Sequence, residues 1–129
     1  MALNFEFDAD TLSDLRKAVL DEATGAGLPG DRASDVVLAV HELAANTVRH
    51  GAGAGVVSMA VMGSQLRCQV SEAGAERIDG QAVRTVTAAR PWPVRPGHGL
   101  WLVQAAADQV TMADGSAGRC VTALFDLPD

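Results

Sequence analysis

The amino-acid sequence predicts an α/β two-layer sandwich, an α+β domain with helices packed on one face of a mixed, mainly antiparallel sheet. Two segments carry apolar residues at helical spacing and so present one apolar stripe each: Leu12, Leu15, Val19 and Leu20, then Val36, Val37, Val40, Leu43, Ala44, Thr47 and Val48. Two later pairs of strand-like runs are each joined across glycine, the pattern of hairpins. Striped helices need a covering layer, and a sheet with one apolar face supplies it. With 129 residues, 48% of them apolar, the chain has material for one such core, so residues 1–129 read as a single domain.

The first element is a strand, because Leu3, Phe5 and Phe7 alternate with Asn4, Glu6 and Asp8, the period of a strand covered on one face. It can pair at a sheet edge or across a homodimer. A helix follows from Asp10 or Thr11, with the short polar side chain as its cap and Gly25-Ala26-Gly27 as its end. The second helix starts near Pro29-Gly30-Asp31 and stops at Gly51, with Asp35, Glu42, Asn46, Arg49 and His50 falling opposite its packing face. Val56 to Met62 and Leu66 to Val70 form a hairpin across Gly63-Ser64. From Ala73 to Pro96 the period is broken by Gly74, Gly80, Pro91, Pro93 and Pro96. Residues 73–96 therefore read as a lid or binding segment, with disorder as the plain alternative and any short helix around Ile78 to Val86. Leu100, Val103, Ala107 and Val110 return to helical spacing, and Val110 to Ala113 with Arg119 to Leu127 close the domain as a hairpin.

Composition narrows the function classes. Sixteen acidic residues against ten basic ones give a formal charge of -6, and Lys17 is the only lysine, a poor basis for a groove that tracks a phosphate backbone. Nucleic acid is thus not an expected partner. Cys68 and Cys120 stand in strand-like runs too far apart for a metal knuckle, and two cysteines make no disulfide framework. The N-terminus lacks the basic start and apolar stretch of a secretion signal, and no apolar run is long enough to span a bilayer. The expectation is a cytoplasmic protein without a membrane partner.

Glu42, Asn46 and His50 are spaced by four residues, so they rise from successive turns of one helix and can serve one ligand. Asn46 offers an amide oxygen to a hard cation such as magnesium, which completes its shell with water and phosphate oxygens. Glu42 can hold a metal-bound water or accept a proton from an attacking hydroxyl, and Arg49 and His50 can meet phosphate oxygens. The bland readings are a solvated Asn46, a Glu42–Arg49 pair and a His50 placed by the helix dipole alone. Gly97 and Gly99 let backbone amides approach an anion, and the helix opening at Leu100 presents its own first amides to the same region. His98 between them either touches phosphate or faces solvent. In Ala89-Arg90-Pro91-Trp92-Pro93-Val94-Arg95-Pro96, the arginines and Trp92 suit a lid clasp or a partner-binding epitope equally.

Taken together, Glu42-Leu43-Ala44-Ala45-Asn46-Thr47-Val48-Arg49-His50-Gly51, Val70-Ser71-Glu72-Ala73-Gly74 and Gly97-His98-Gly99-Leu100-Trp101-Leu102-Val103 resemble the histidine-kinase-like ATPases, the GHKL superfamily. Within that superfamily the chain looks most like the small bacterial anti-sigma-factor serine/threonine kinases and their actinobacterial relatives. The resemblance implies a Bergerat-type ATP-binding fold, with ATP and Mg2+ held between the long helix, the lid and the glycine turns. It gives Glu42 the general-base or water-positioning role, Asn46 the magnesium, and Gly97 and Gly99 the phosphates. It assigns the adenine amine to the carboxylate at Glu72 followed by Gly74, and makes Thr122 the nearest candidate for the threonine of the adenine pocket. Here the chain departs from the family, which places an aspartate where Glu72 stands and often a glycine where Glu76 stands; the extra methylene adds about 1.5 Å of reach. The implied function is transfer of the ATP gamma-phosphate to a protein antagonist. The alternative is a nucleotide-independent module of the same fold that binds a sigma factor or another partner.

Overall fold

The computed structural model describes residues 2–72, 82–86, 100–115 and 118–128, with the backbone alone at 82–86, 100–101 and 114–115. The elements are β1 (Ala2–Asp8), α1 (Leu12–Gly25), α2 (Gly30–His50), β2 (Ala54–Met62), β3 (Gln65–Glu72), β4 (Ala82–Val86), α3 (Leu100–Ala106), β5 (Gln109–Gly115) and β6 (Gly118–Asp126). The strands form one sheet in the order β1-β2-β3-β6-β5-β4. Every pairing among the described strands is antiparallel.

Alternation along each strand divides the sheet into two faces. Phe7, Val57, Met59, Leu66, Cys68, Val70, Val110, Met112, Val121, Ala123 and Phe125 point to one side and join Leu15, Val19, Val36, Val40, Leu43 and Val103 of the helices in a single core. Each such large aliphatic side chain, once covered, contributes roughly 1.5–3 kcal/mol. The intervening residues, among them Asn4, Ser58, Gln69 and Thr122, face the other way, where the polar pairs Ser58–Asn4 (3.1 Å) and Gln69–Thr122 (3.3 Å) lie. Cys68 and Cys120 fall on opposite faces and are both free. Burial pushes the Cys68 thiol up to about 12.

The first strand pairs with β2 and forms one edge of the sheet. Its Phe7 lies opposite Gly55, and a Cβ on Gly55 would collide with the Phe7 ring and with the Ser71 carbonyl. The aromatic ring therefore occupies the space that the glycine leaves, next to the end of β3.

Four sequence expectations are corrected. Leu20 is 43% exposed; α1 buries Leu15, Val19 and Ala23 instead, a narrower stripe because α2 and the sheet cover only one side of it. The Thr11 side chain makes no cap hydrogen bond, because its hydroxyl accepts the Asp8 N–H at 2.9 Å in the turn that precedes α1. The short helix expected near Ile78 to Val86 gives way, over its described part, to β4, which completes its hydrogen bonds against β5. The third helix ends at Ala106, and Val110 belongs to β5, facing the core from the sheet. The rest of the 73–96 segment, with Arg90, Trp92 and Arg95, lies outside the described residues, as does the Trp101 side chain.

Candidate functional site

The 21 residues of α2 cross the sheet with Ala33, Val36, Val40, Leu43 and Ala44 buried beneath them. Its two flanks differ. On one, Asp35, Glu42 and Asn46 repeat at spacings of seven and four, so they form a single stripe along the helix. The same stripe begins beside α3, since Arg32 donates both to Asp35 (2.9 Å) and to the Ala106 carbonyl that ends α3 (3.0 Å). Glu42 and Asn46 are half-buried on this flank rather than turned to the solvent-facing back of the helix, while Arg49 and His50 are exposed in its last turn. On the other flank stands His41, held below its usual range first by burial and then by the Arg16 charge, against a smaller opposing pull from Glu42. Its Nδ1 is buried without a hydrogen-bond partner among the described residues.

Arg49 donates through Nη2 to Asn46 Oδ1 at 3.4 Å. The amide oxygen that would serve a cation thus has a guanidinium at the long end of hydrogen-bond range, and a cation bound at that oxygen would push the like-charged guanidinium away. An exposed arginine is free to make that move, and a phosphate is the partner that its planar fork fits best. A cation at Asn46 would draw its other ligands from water and phosphate oxygens, as magnesium does.

At the end of β3, Glu72 is half-buried on the helix-facing side, and its carboxylate spans two elements. Oε1 accepts the Arg119 N–H from β6 at 3.2 Å, and Oε2 lies 3.0 Å from where a Cβ on Gly51 would sit. A Cβ on Gly51 would press on the Glu72 carboxylate and the Thr47 carbonyl, so the carboxylate would have to shift to admit a side chain there. The absent Cβ makes room for the longer glutamate, whose carboxylate lies back against the end of α2. This contact also joins the two halves of the candidate site, because Gly51 directly follows the turn that carries Arg49 and His50.

The sequence-predicted residues are thus partly assembled. Glu42, Asn46, Arg49 and His50 share α2, and Glu72 meets its C-terminal end through Gly51. Thr122 does not join them. It sits between buried Val121 and Ala123 on the sheet face away from the helices and accepts from Gln69 at 3.3 Å. The β6 residue beside Glu72 is Arg119, and it contributes its backbone N–H. Cross-strand register decides which residue meets Glu72, and periodicity within β6 could not show it; Gly118 immediately before Arg119 was the available signal. Leu100 opens α3, whereas Gly74, Gly97, His98 and Gly99 lie outside the described residues.

A one-sided helix layer over an antiparallel sheet, with an acid, an amide and basic residues in sequence along α2, defines a two-layer α+β domain. The chain belongs to the histidine kinase-like ATPase domain family, whose pattern it matches over residues 5–125. It is on that ground an ATP-binding domain of the GHKL kind, and the fold expected from the sequence is the fold observed apart from the corrections above. No match to a curated protein is found. Among the described residues no helix is long and apolar enough to cross a membrane.

Proposed function

We propose that this protein is an ATP-dependent regulatory serine/threonine kinase of the anti-sigma-factor type, acting on a protein antagonist. The observation that supports it is the α2 flank, where Glu42 and Asn46 stand half-buried one turn apart on the helix to which Arg32 anchors the end of α3. Magnesium, when bound, neutralises charge that develops on the phosphates. Asn46 would hold that ion through Oδ1 once Arg49 releases it, and Arg49 would then face the phosphate oxygens. Glu42 would orient the partner's serine or threonine hydroxyl and take its proton. As the new oxygen–phosphorus bond forms, the bond between the gamma-phosphorus and the bridging oxygen breaks, leaving ADP and a phosphorylated partner.

Base recognition rests on Glu72. Its Oε1 already accepts a backbone N–H, and the remaining acceptor capacity of the carboxylate suits an exocyclic amine. The same observation favours a second reading, in which Glu72 is a structural tie and the fold binds a sigma factor or a second copy of itself without nucleotide. Calorimetric titration with Mg2+ and ATP separates the two. Binding that is lost in Asn46→Ala supports the kinase reading, to be followed by phosphate transfer to an antagonist; no binding by folded wild-type protein up to millimolar ATP supports the other.

A further inference from the structure

The Arg32 guanidinium bonds to three acceptors in the described structure. Nη1 donates to Asp35 Oδ2 at 2.9 Å and to the Ala106 carbonyl at 3.0 Å, and Nη2 donates to Asp108 Oδ2 at 3.0 Å. Its Cζ lies 5.5 Å from the centre of the Phe125 ring, within range of a cation–π contact. Asp108 is itself committed: the same Oδ2 accepts the Asp126 N–H at 2.7 Å, and the Asp108 N–H donates to the Leu124 carbonyl at 2.9 Å. One side chain near the start of α2 therefore gathers the last turn of α3, the residue before β5 and the end of β6.

This clasp matters because of what it holds. At seven residues α3 is too short to persist by its own hydrogen bonds. Its described buried side chains are only Val103 and Gln104. In the sequence the helix directly follows Gly97-His98-Gly99, and it packs against α2, the helix that bears Glu42 and Asn46. The bonds of Arg32 run to Asp35 of α2, to the Ala106 carbonyl that ends α3 and to Asp108 before β5, so its present role is to tie elements together.

We infer that Arg32 is a positioning residue for the nucleotide site: by clasping the C-terminal end of α3 to α2 and β6, it gives the helix that follows the glycine turn a single place beside Glu42 and Asn46. This inference rests on the nucleotide reading above. Only a planar fork with several donors satisfies the three acceptors while stacking on a ring. A lysine keeps the charge and one or two of the bonds, so it restores the function in part.

The test uses the whole chain as wild type, Arg32→Ala and Arg32→Lys, with amide hydrogen exchange in the absence of nucleotide and calorimetry with Mg2+ and ATP. In Arg32→Ala, exchange over residues 100–106 rises about tenfold while the β2–β3 amides stay protected, and the ATP Kd rises at least about fivefold. Arg32→Lys falls between the two on both readouts. Unchanged exchange in α3, a rise spread equally over the sheet, or wild-type ATP affinity in Arg32→Ala would each overturn the positioning role while leaving the nucleotide reading intact. Absence of ATP binding by the wild type would instead overturn the nucleotide reading and this role with it.

Discussion

The flank of α2 and the end of β3 are built on different physical terms, although they meet at Gly51. On the flank, Glu42 and Asn46 are placed by the 3.6-residue period of one helix, and Arg49 of the same helix donates to Asn46. At the end of β3, the Glu72 carboxylate is placed by three separate elements: its own strand, the Arg119 N–H of β6 and the missing Cβ of Gly51. A site of the first kind keeps its chemistry as long as the helix keeps its packing. One of the second kind changes when any of three elements changes, and it is there that the sequence carries a glutamate where the resemblance implies an aspartate.

Substitutions that separate the two regions test this contrast. The largest effect belongs to Asn46→Ala, which removes the cation's only protein ligand proposed here. ATP affinity in the presence of Mg2+ should fall about thirtyfold or more, near 2 kcal/mol, and the difference between titrations with and without Mg2+ should disappear. Glu72→Ala should cost about tenfold, the scale of one hydrogen bond to a charged acceptor; because that bond goes to the base, binding of inorganic triphosphate should be unaffected. Equal losses for ATP and triphosphate would mean that Glu72 acts on the site as a whole.

Gly51→Ala should act more weakly on binding and more plainly on the fold. The new methyl group meets Glu72 Oε2 and the Thr47 carbonyl, each at 3.0 Å. Denaturant unfolding should show a loss of roughly 1 kcal/mol from overpacking, with a several-fold weaker ATP affinity as the carboxylate is displaced. If the double variant Gly51→Ala with Glu72→Ala regains the stability of Glu72→Ala alone, the clash is with the carboxylate; if it does not, the Thr47 carbonyl dominates.

The smallest effect concerns the opposite flank of α2. The lowered pKa of His41 means that the folded state resists its protonation, while the unfolded chain titrates near 6.5. The unfolded state therefore binds more protons in this range, and stability declines as pH falls from above 6.5 toward the folded pKa, then stays flat with respect to this group. His41→Gln should flatten that slope in pH-dependent chemical unfolding without changing ATP binding at pH 7.5. A slope that survives the substitution would assign it to other groups.

How much of this was legible in the sequence follows the same division. The two-layer fold, the long helix, both hairpins and the Glu42–Asn46 pairing are consequences of local period, which a single chain displays openly. The stripe of α1 was drawn too wide at Leu20, because apolar spacing alone does not say how much of a helix its neighbours cover. Thr122 was chosen for its residue type and strand, yet the register of β6 turns it to the other face and brings the Arg119 backbone to Glu72. The Arg32–Asp108 tie spans 76 positions and depends on where α3 and β6 end, and no spacing rule connects residues so far apart. The segment from Val70 through Val103 carries two of the three runs on which the resemblance rests and the least periodicity.

The central claim is that nucleotide binding is carried by the α2 flank and modulated at Glu72. The most direct test is calorimetric titration of wild type, Asn46→Ala and Glu72→Ala with ATP, each with and without Mg2+. The account requires wild-type binding that depends on Mg2+, the greater loss and no residual Mg2+ dependence in Asn46→Ala, and a smaller loss with Mg2+ dependence retained in Glu72→Ala. Folded wild-type protein that binds no ATP, or an Asn46→Ala variant that binds as the wild type does, would contradict it.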